Sequence, residues 1–315
     1  LKRNITIATQ MSNRKKIFIT GANGLLGQKL VSQLLEKDEF LVIASGRGAC
    51  RLPGKGFEYV SLDISNEKEV ENVLAEIQPD IIIHGAAMTH VDQCELNQEA
   101  CYDANVNATS YLVKAAEACG AHFIFVSTDF IFSGEEGPLD ENAVPSPVNY
   151  YGETKLEGER MVMSSKTKWS IARTVLVFGI AHDMSRTNIV LWVKSSLEAG
   201  KEIQVVDDQF RTPTLAEDLA AGCVLIAEKG AEGVFNISGS DFLSAYEMAI
   251  ITADYFGLNK ELIKRADSST FSQPAKRPLK TGFIIDKARE QLGFEPKTFQ
   301  AAIGILAKQI ILASS

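Results

Sequence analysis

At 315 residues, with 45% hydrophobic and 23% charged residues, the chain is long enough to bury a large core and to form about two domains. A net charge of −8 argues against nucleic acid or an anionic membrane as the main partner, and no stretch reaches the roughly 18 apolar residues of a membrane span. Five cysteines without a C-x-x-C pair point to reduced thiols in a reducing, cytoplasmic compartment, and four histidines without metal-ligand spacing give no reason to expect a metal.

Residues 1–15 are polar and lack the apolar core of a signal peptide, so they read as an N-terminal extension without fixed structure. Lys16–Thr20 then predicts a buried parallel strand. It runs at once into Gly21-Ala22-Asn23-Gly24-Leu25-Leu26-Gly27, after which Leu30, Val31, Leu34 and Leu35 continue an apolar helical face. A strand, a glycine turn and a helix start bring backbone N–H groups and a positive dipole end to one point, which suits a pyrophosphate. The spacing is G-x-x-G-x-x-G, and a plain tight strand–helix connection would look the same. Phe40–Ala44 predicts a second strand ending Ala44-Ser45-Gly46-Arg47. No acid stands there for a ribose 2′-hydroxyl, and Arg47, with Arg51 nearby, is placed for a 2′-phosphate; NADPH is favoured, with NADH also usable.

A third strand, Phe57–Leu62, leads into Asp63-Ile64 and a helix from about Ser65 with Glu67 and Glu69 in its first turn. Ile81–Ile83 is the fourth strand and, after a helix over about 107–118, Phe123–Val126 the fifth; Trp169–Arg173 is the sixth. Repeated β-α-β units predict an α/β fold, a doubly wound parallel sheet covered by helices on both faces, with ligands beyond the carboxyl ends of the strands at the switch point.

Tyr151 and Lys155 stand four apart on a helix that opens after Pro145 and Pro147, so they share a face. No other tyrosine has a lysine four residues on; Tyr150 meets only Thr154. An adjacent ammonium would lower the phenol pKa and strengthen it as an acid. By itself Tyr-x-x-x-Lys is more often a surface pair. Thr128, in Val126-Ser127-Thr128-Asp129 at the end of the fifth strand, supplies a second donor for a substrate oxygen.

These motifs resemble the extended short-chain dehydrogenase/reductases over about residues 16–300. Gly21, Gly24 and Gly27 match that family's phosphate-binding glycines, with Asn23, Leu25 and Leu26 in the same turn, and Asp63-Ile64 its adenine-contacting pair. Ala86-Ala87 match the small residues beside the cofactor, and Thr128, Tyr151 and Lys155 its catalytic triad, the last two also touching the nicotinamide ribose. Within the family the chain is most similar to the dTDP-4-dehydrorhamnose reductases. Ala86 to Glu95, Ser127 to Gly134, Tyr151 to Glu159, Val205 to Gln209, Arg277-Pro278 and Leu292 to Pro296 carry that likeness.

The resemblance implies NADPH-dependent reduction of a 4-keto-6-deoxy sugar on a nucleoside diphosphate, bound by Thr89, Val91, Asp129, Arg211 and Arg277. It implies a Rossmann domain from 16–179 and 205–234, and a smaller, mainly helical substrate lobe from 180–204 and 235–315. Phe294 and the apolar run Ile303 to Leu312 are expected in the core, and the protein is expected to be a monomer or homodimer. Two positions depart from the pattern. Arg211 replaces a frequent glycine, in a position suited to a diphosphate. Lys29 stands where some members carry a glutamate that helps hold magnesium at a dimer contact. A nucleotide-sugar epimerase on the same scaffold stays open, as does a non-catalytic regulatory subunit similar to the β subunit of methionine adenosyltransferase. Phe130 after Asp129, in place of an acidic pair, disfavours a dehydratase.

Overall fold

The computed structural model describes residues 14–183 and 187–314. The predicted N-terminal extension, through residue 13, lies outside the described residues. From β1 (Lys15–Thr20) the chain turns into α1 (Leu25–Leu34) and returns through β2 (Phe40–Gly46) and β3 (Glu58–Ser61). Then come α2 (Glu67–Ile77), β4 (Ile81–His84), two short helices, α3 (Val91–Leu96) and α4 (Gln98–Tyr102), and a π-helical stretch, Asp103–Asn107, that runs into α5 (Ala108–Cys119). β5 (His122–Thr128), α6 (Tyr150–Ser164) and β6 (Trp169–Thr174) complete the six strands read from the sequence.

Beyond them lie β7 (Val177–Phe178), α7 (Ile189–Glu198), β8 (Ile203–Val206), β9 (Phe210–Arg211), β10 (Thr214–Leu215) and α8 (Ala216–Lys229). They are followed by β11 (Gly233–Asn236), β12 (Leu243–Ser244), α9 (Ala245–Phe256), β13 (Ile263–Ala266), α10 (Asp286–Leu292) and α11 (Phe299–Ser314).

The main sheet is ordered β11-β6-β5-β4-β1-β2-β3 and every pairing is parallel. The doubly wound architecture expected from the sequence is therefore present. Strand order reverses between β1 and β4, which opens a crevice beyond their carboxyl ends. The central strands are buried on both faces, hence the near-continuous apolar runs of Ile17, Phe18, Ile19 and Ile81, Ile82, Ile83. β11 is the seventh strand, added to β6 at the edge. Its four residues carry no sequence signal that fixes the partner, because the pairing spans a crossover through α7 and α8.

A smaller body forms on α7, α9 and the parallel pair β8–β13, around Val193, Leu197, Ile203, Val205, Ala249, Ala253 and Ile263. Ile285, Ala288, Leu292 and Phe294 instead join the core of the main sheet. In α11, Ile303 and Leu306 are buried, while Ile311 is 69% exposed, so the expected core run ends before it; the side chain of Leu312 lies outside the described residues. Among the described residues no helix is long and apolar enough to cross a membrane.

Candidate active site

The glycine turn sits at the sheet's switch point. Gly21 has φ +72, and a Cβ there would stand 3.0 Å from the backbone of Ala86, so the β1 turn lies directly against the loop after β4. A Cβ at Gly27 would come within 2.4 Å of the Gly21 carbonyl oxygen, so α1 rests on the turn itself. Gly24 caps α1 without a side-chain bond, and no acid occupies the first turn. The N–H groups of Leu25 and Leu26 therefore open the helix without helical acceptors, and with the dipole they form an anion site.

The Asn23 side chain turns away from that site. Its Nδ2 donates to the Tyr59 hydroxyl at 2.9 Å and the Ala49 carbonyl at 3.1 Å, and its Oδ1 accepts from Arg51 N at 2.9 Å. The Tyr59 hydroxyl is also 3.1 Å from the carbonyls of Gly46 and Gly48. Asn23 and Tyr59 thus shape the loop that presents the exposed Arg47. Tyr59 went unnoticed in the sequence, where it is one residue in a short strand. Beside this loop Asp63 accepts from the hydroxyl and N–H of Ser65, bonds that hold its carboxyl below the ordinary range, helped weakly by Arg47; Ile64 is half-buried.

Thr128 ends β5, and Tyr151 lies in the first turn of α6. Asn149 caps that helix by accepting from Gly152 N at 2.9 Å, and its Nδ2 donates to the Lys276 carbonyl at 2.9 Å. A Cβ at Gly152 would be 2.1 Å from the Phe130 carbonyl oxygen. Only glycine lets α6 start this close to the turn after β5. The approach sets the Tyr151 phenol against Thr128, whose hydroxyl donates to Asp129 Oδ1 at 3.1 Å. Phe130 packs edge-on to the Tyr151 ring at 5.8 Å.

Lys155, one turn along, is 3% exposed. Its Nζ donates to the Val126 carbonyl at 2.8 Å and lies 3.9 Å over the Phe125 ring. Burial lowers its pKa to about 7, against the opposing charge of Glu159. Burial likewise pushes the Tyr151 phenol upward, more than the Thr128 hydrogen bond lowers it. This corrects the sequence expectation of a phenol acidified by Lys155. The ammonium is itself disfavoured here and points at a carbonyl, so desolvation of the phenolate dominates. A buried neutral phenol keeps its proton until an oxyanion develops beside it, where a dry site makes donation most effective.

Behind the tyrosine runs a buried polar chain. Thr20 Oγ1 meets His84 Nδ1 at 2.7 Å, and His84 Nε2 meets Thr109 Oγ1 at 3.1 Å. Thr109 donates to the Asn105 carbonyl at 2.6 Å, Asn105 Nδ2 to Thr154 Oγ1 at 3.1 Å, and Thr154 to the Tyr151 carbonyl at 2.8 Å. Asn105 also clasps the Met88 backbone through 2.7 and 3.1 Å bonds, and Ala86 N donates to Thr20 Oγ1 at 3.2 Å. The loop with the half-buried Ala86 and Ala87 is thereby tied to both the glycine turn and the tyrosine. Burial drives the His84 pKa to about 3, so the ring is neutral. Asn105, within the π-helical stretch, was not legible in the sequence; only its place in the fold brings it beside Thr154.

Asp129, Arg211 and Arg277 line the far side. Asp129 is buried, accepts from Thr281 and lies 3.4 Å from Arg211 Nε; burial raises its pKa despite that guanidinium. The rest of the Arg211 fork is largely committed to the carbonyls of Phe210, Leu279 and Pro278. Arg277 makes a bidentate pair with Asp92 at 2.7 and 2.8 Å, joining α3 to the segment after β13. Thr89 is exposed and Val91 half-buried on the loop that opens α3. Lys29 pairs with Glu217 of α8 at 2.8 Å. Beyond β6 opens a cavity of about 380 Å³ lined by Leu176, Val177, Phe178, Thr187, Asn188, Ile189 and Trp192.

A switch-point glycine turn and a Thr-Tyr-Lys constellation on one parallel sheet define an extended short-chain dehydrogenase/reductase. The chain belongs to the RmlD substrate binding domain family, which matches residues 15–311. It is 30% identical over 303 residues to the dTDP-4-dehydrorhamnose reductase of Aggregatibacter actinomycetemcomitans, covering 91% of this chain and 97% of that one. It is 33% identical over 249 residues to methionine adenosyltransferase 2 subunit beta of Bos taurus, covering 78% and 73%. Among solved structures, the Bacillus anthracis dTDP-4-dehydrorhamnose reductase in complex with NADP matches with a TM-score of 0.83 and 28% identity, over 94% of this chain and 99% of that one.

Proposed function

We propose that the protein is an NADPH-dependent reductase of the 4-keto group of a nucleoside-diphosphate 4-keto-6-deoxy sugar, acting on dTDP-4-dehydrorhamnose or a close analogue. The observation that carries this reading is the Thr128 hydroxyl set beside a buried, neutral Tyr151 phenol, with Lys155 one turn away on the same helix. The cofactor fits the residues present. The start of α1, without a side-chain cap, and the turn before it, whose Gly21 is pressed against Ala86 where a Cβ would crowd the backbone, receive the pyrophosphate, and the exposed Arg47 meets the 2′-phosphate. Bound there, the nicotinamide supplies hydride to the carbonyl carbon.

Thr128 and Tyr151 then act on the carbonyl oxygen. Thr128 orients it, and Tyr151 donates the phenolic proton as charge develops. Lys155 holds the nicotinamide ribose and, when protonated, stabilises the phenolate left behind. The buried chain from Thr20 to Thr154 fixes the tyrosine relative to the glycine turn. Asp129, Thr89 and Val91 contact the sugar, while Arg277 and the remaining donor of Arg211 face the diphosphate.

A second reading is a cofactor-binding subunit without turnover. The 33% identity to methionine adenosyltransferase 2 subunit beta favours it. Mixing the protein with NADPH and dTDP-4-dehydrorhamnose separates the two. The reductase consumes NADPH in proportion to dTDP-rhamnose formed. NADPH bound but unconsumed refutes the reductase and leaves the subunit or an epimerase.

A further inference from the structure

Two cysteines lie directly behind the tyrosine and take no part in the proposed reaction. Cys94 in α3 and Cys101 in α4 are both fully buried and form one apolar cluster with Tyr151, joined by Met88, Val91, Phe130 and Tyr150. Their sulfurs converge on the same small group of atoms. Cys94 Sγ donates to the Met88 carbonyl at 3.4 Å; Asn105 Nδ2 donates to that same carbonyl at 3.1 Å and to Cys101 Sγ at 3.4 Å. Cys101 Sγ is also 3.6 Å from Thr154 Oγ1, the hydroxyl that holds the Tyr151 carbonyl. Among the described residues the other cysteines lie elsewhere: Cys50 is exposed on the Arg47 loop, Cys119 ends α5, and Cys223 is buried in α8.

We propose that Cys94 and Cys101 are an oxidisable dithiol, and that closing them into an intramolecular disulfide with a peroxide inactivates the site through Tyr151. The Cys101 thiolate attacks one peroxide oxygen, the O–O bond breaks, and a sulfenic acid and one water result. Cys94 attacks that sulfur and expels the second water. Two thiols and one hydrogen peroxide thus become one disulfide and two waters, with two electrons passing from sulfur to oxygen. Cys101 is suited to the first step, since the Cys94 thiol, aided by Thr154, Lys155 and Asn105, lowers its pKa to about 7 despite burial.

Closing the disulfide brings both sulfurs to covalent distance, away from their present partners. It therefore pulls Cys101 from Thr154 and Asn105, and Cys94 from the Met88 carbonyl. The first change reaches Tyr151 through the Thr154 hydroxyl; the second moves α3, whose Asp92 is the Arg277 partner. Because neither sulfur has exposed surface, oxidation requires local opening of the short α3–α4 pair. A bound ligand that contacts Met88, Thr89 or Val91 opposes that opening and slows the reaction.

The test is hydrogen peroxide titration of the full-length protein, followed by peptide mapping without reduction, NADPH consumption and NADPH binding by fluorescence. A Cys94–Cys101 linkage that appears in step with at least a tenfold loss of turnover or of NADPH affinity, and that dithiothreitol reverses, supports the proposal. Cys94→Ser and Cys101→Ser, each checked by its thermal transition, are expected to resist that loss. Full oxidation of the pair with turnover and binding unchanged overturns the proposal. So does an equal loss in both serine variants, or a loss that maps only to Cys50. The linkage and the binding measurement do not require turnover, so failure of the reductase reading is distinguishable.

Discussion

Replacing Tyr151 by phenylalanine removes one oxygen and leaves nearly everything else. The ring is buried and edge-on to Phe130 at 5.8 Å, a contact phenylalanine retains. The Thr128 hydroxyl loses the phenol but keeps Asp129 Oδ1 at 3.1 Å, so no donor is orphaned. Loss of one hydrogen bond costs about 1 kcal/mol of stability, which for a chain of this size shifts the thermal midpoint by roughly 2 °C. Loss of the general acid is far larger: about 10²–10⁴ in kcat, or roughly 3–5 kcal/mol of transition-state stabilisation. The two effects separate cleanly. NADPH consumption gives kcat, fluorescence titration gives NADPH affinity, and calorimetry gives the midpoint. Turnover should fall at least a hundredfold with affinity within threefold of the parent. A variant that retains more than a third of the parental kcat refutes the assignment of Tyr151 as the acid. A midpoint lowered by 10 °C would instead show that the hydroxyl holds the fold.

Three further outcomes follow from the same geometry. Arg47→Ala should weaken NADPH about tenfold or more while leaving NADH affinity unchanged, because a charged hydrogen bond is worth about 1.5–3 kcal/mol; equal losses for both nucleotides in a binding titration would remove Arg47 from the 2′-phosphate site. The Lys155 ammonium is lost as pH rises through about 7, so kcat/KM for NADPH should fall above that pH, and a profile flat to about pH 9 would contradict it. Its folded pKa lies below the ordinary lysine value of 10.5, so the unfolded chain binds more protons between those limits. Its contribution to stability therefore rises with pH across that window, read as a thermal-midpoint difference between the parent and Lys155→Met that changes over it. Finally, Glu159→Gln strips the charge from a buried bidentate pair with Arg173 at 2.9 and 2.7 Å. It should cost about 3–5 kcal/mol in a denaturant titration, and a loss below about 1 kcal/mol would show that the pair is not isolated from water.

The dinucleotide turn was legible because it is local. Gly21, Gly24 and Gly27 lie within seven residues of one strand–helix junction, and their spacing states the geometry. The strands inside the sheet were legible for a similar reason: buried parallel strands write themselves as apolar runs. Their ends were read short, as at Thr128 and Thr174, because the last residues of β5 and β6 are polar and break the apolar run. What the sequence misjudged was environment. Tyr151 and Lys155 were correctly placed on one helix face, yet the sign of their influence depended on burial by Phe125, Phe130 and Val126, which no spacing reveals. Asn23 was identified in the right turn, but its side chain belongs to the neighbouring loop through Tyr59.

The sequence by itself therefore determined the parallel sheet, the glycine turn and the tyrosine with its lysine, since each depends on residues within one or two elements. Tertiary structure alone decided the relations among distant segments. It joined Thr20, His84, Asn105 and Thr154 into one buried chain, and set Cys94 beside Cys101 under the tyrosine. It also bound Arg211 to Asp129 and Arg277 to Asp92 across 82 and 185 residues. The physical reason is that pKa, hydrogen-bond commitment and reactivity depend on distance and desolvation, which are fixed only when the chain closes on itself.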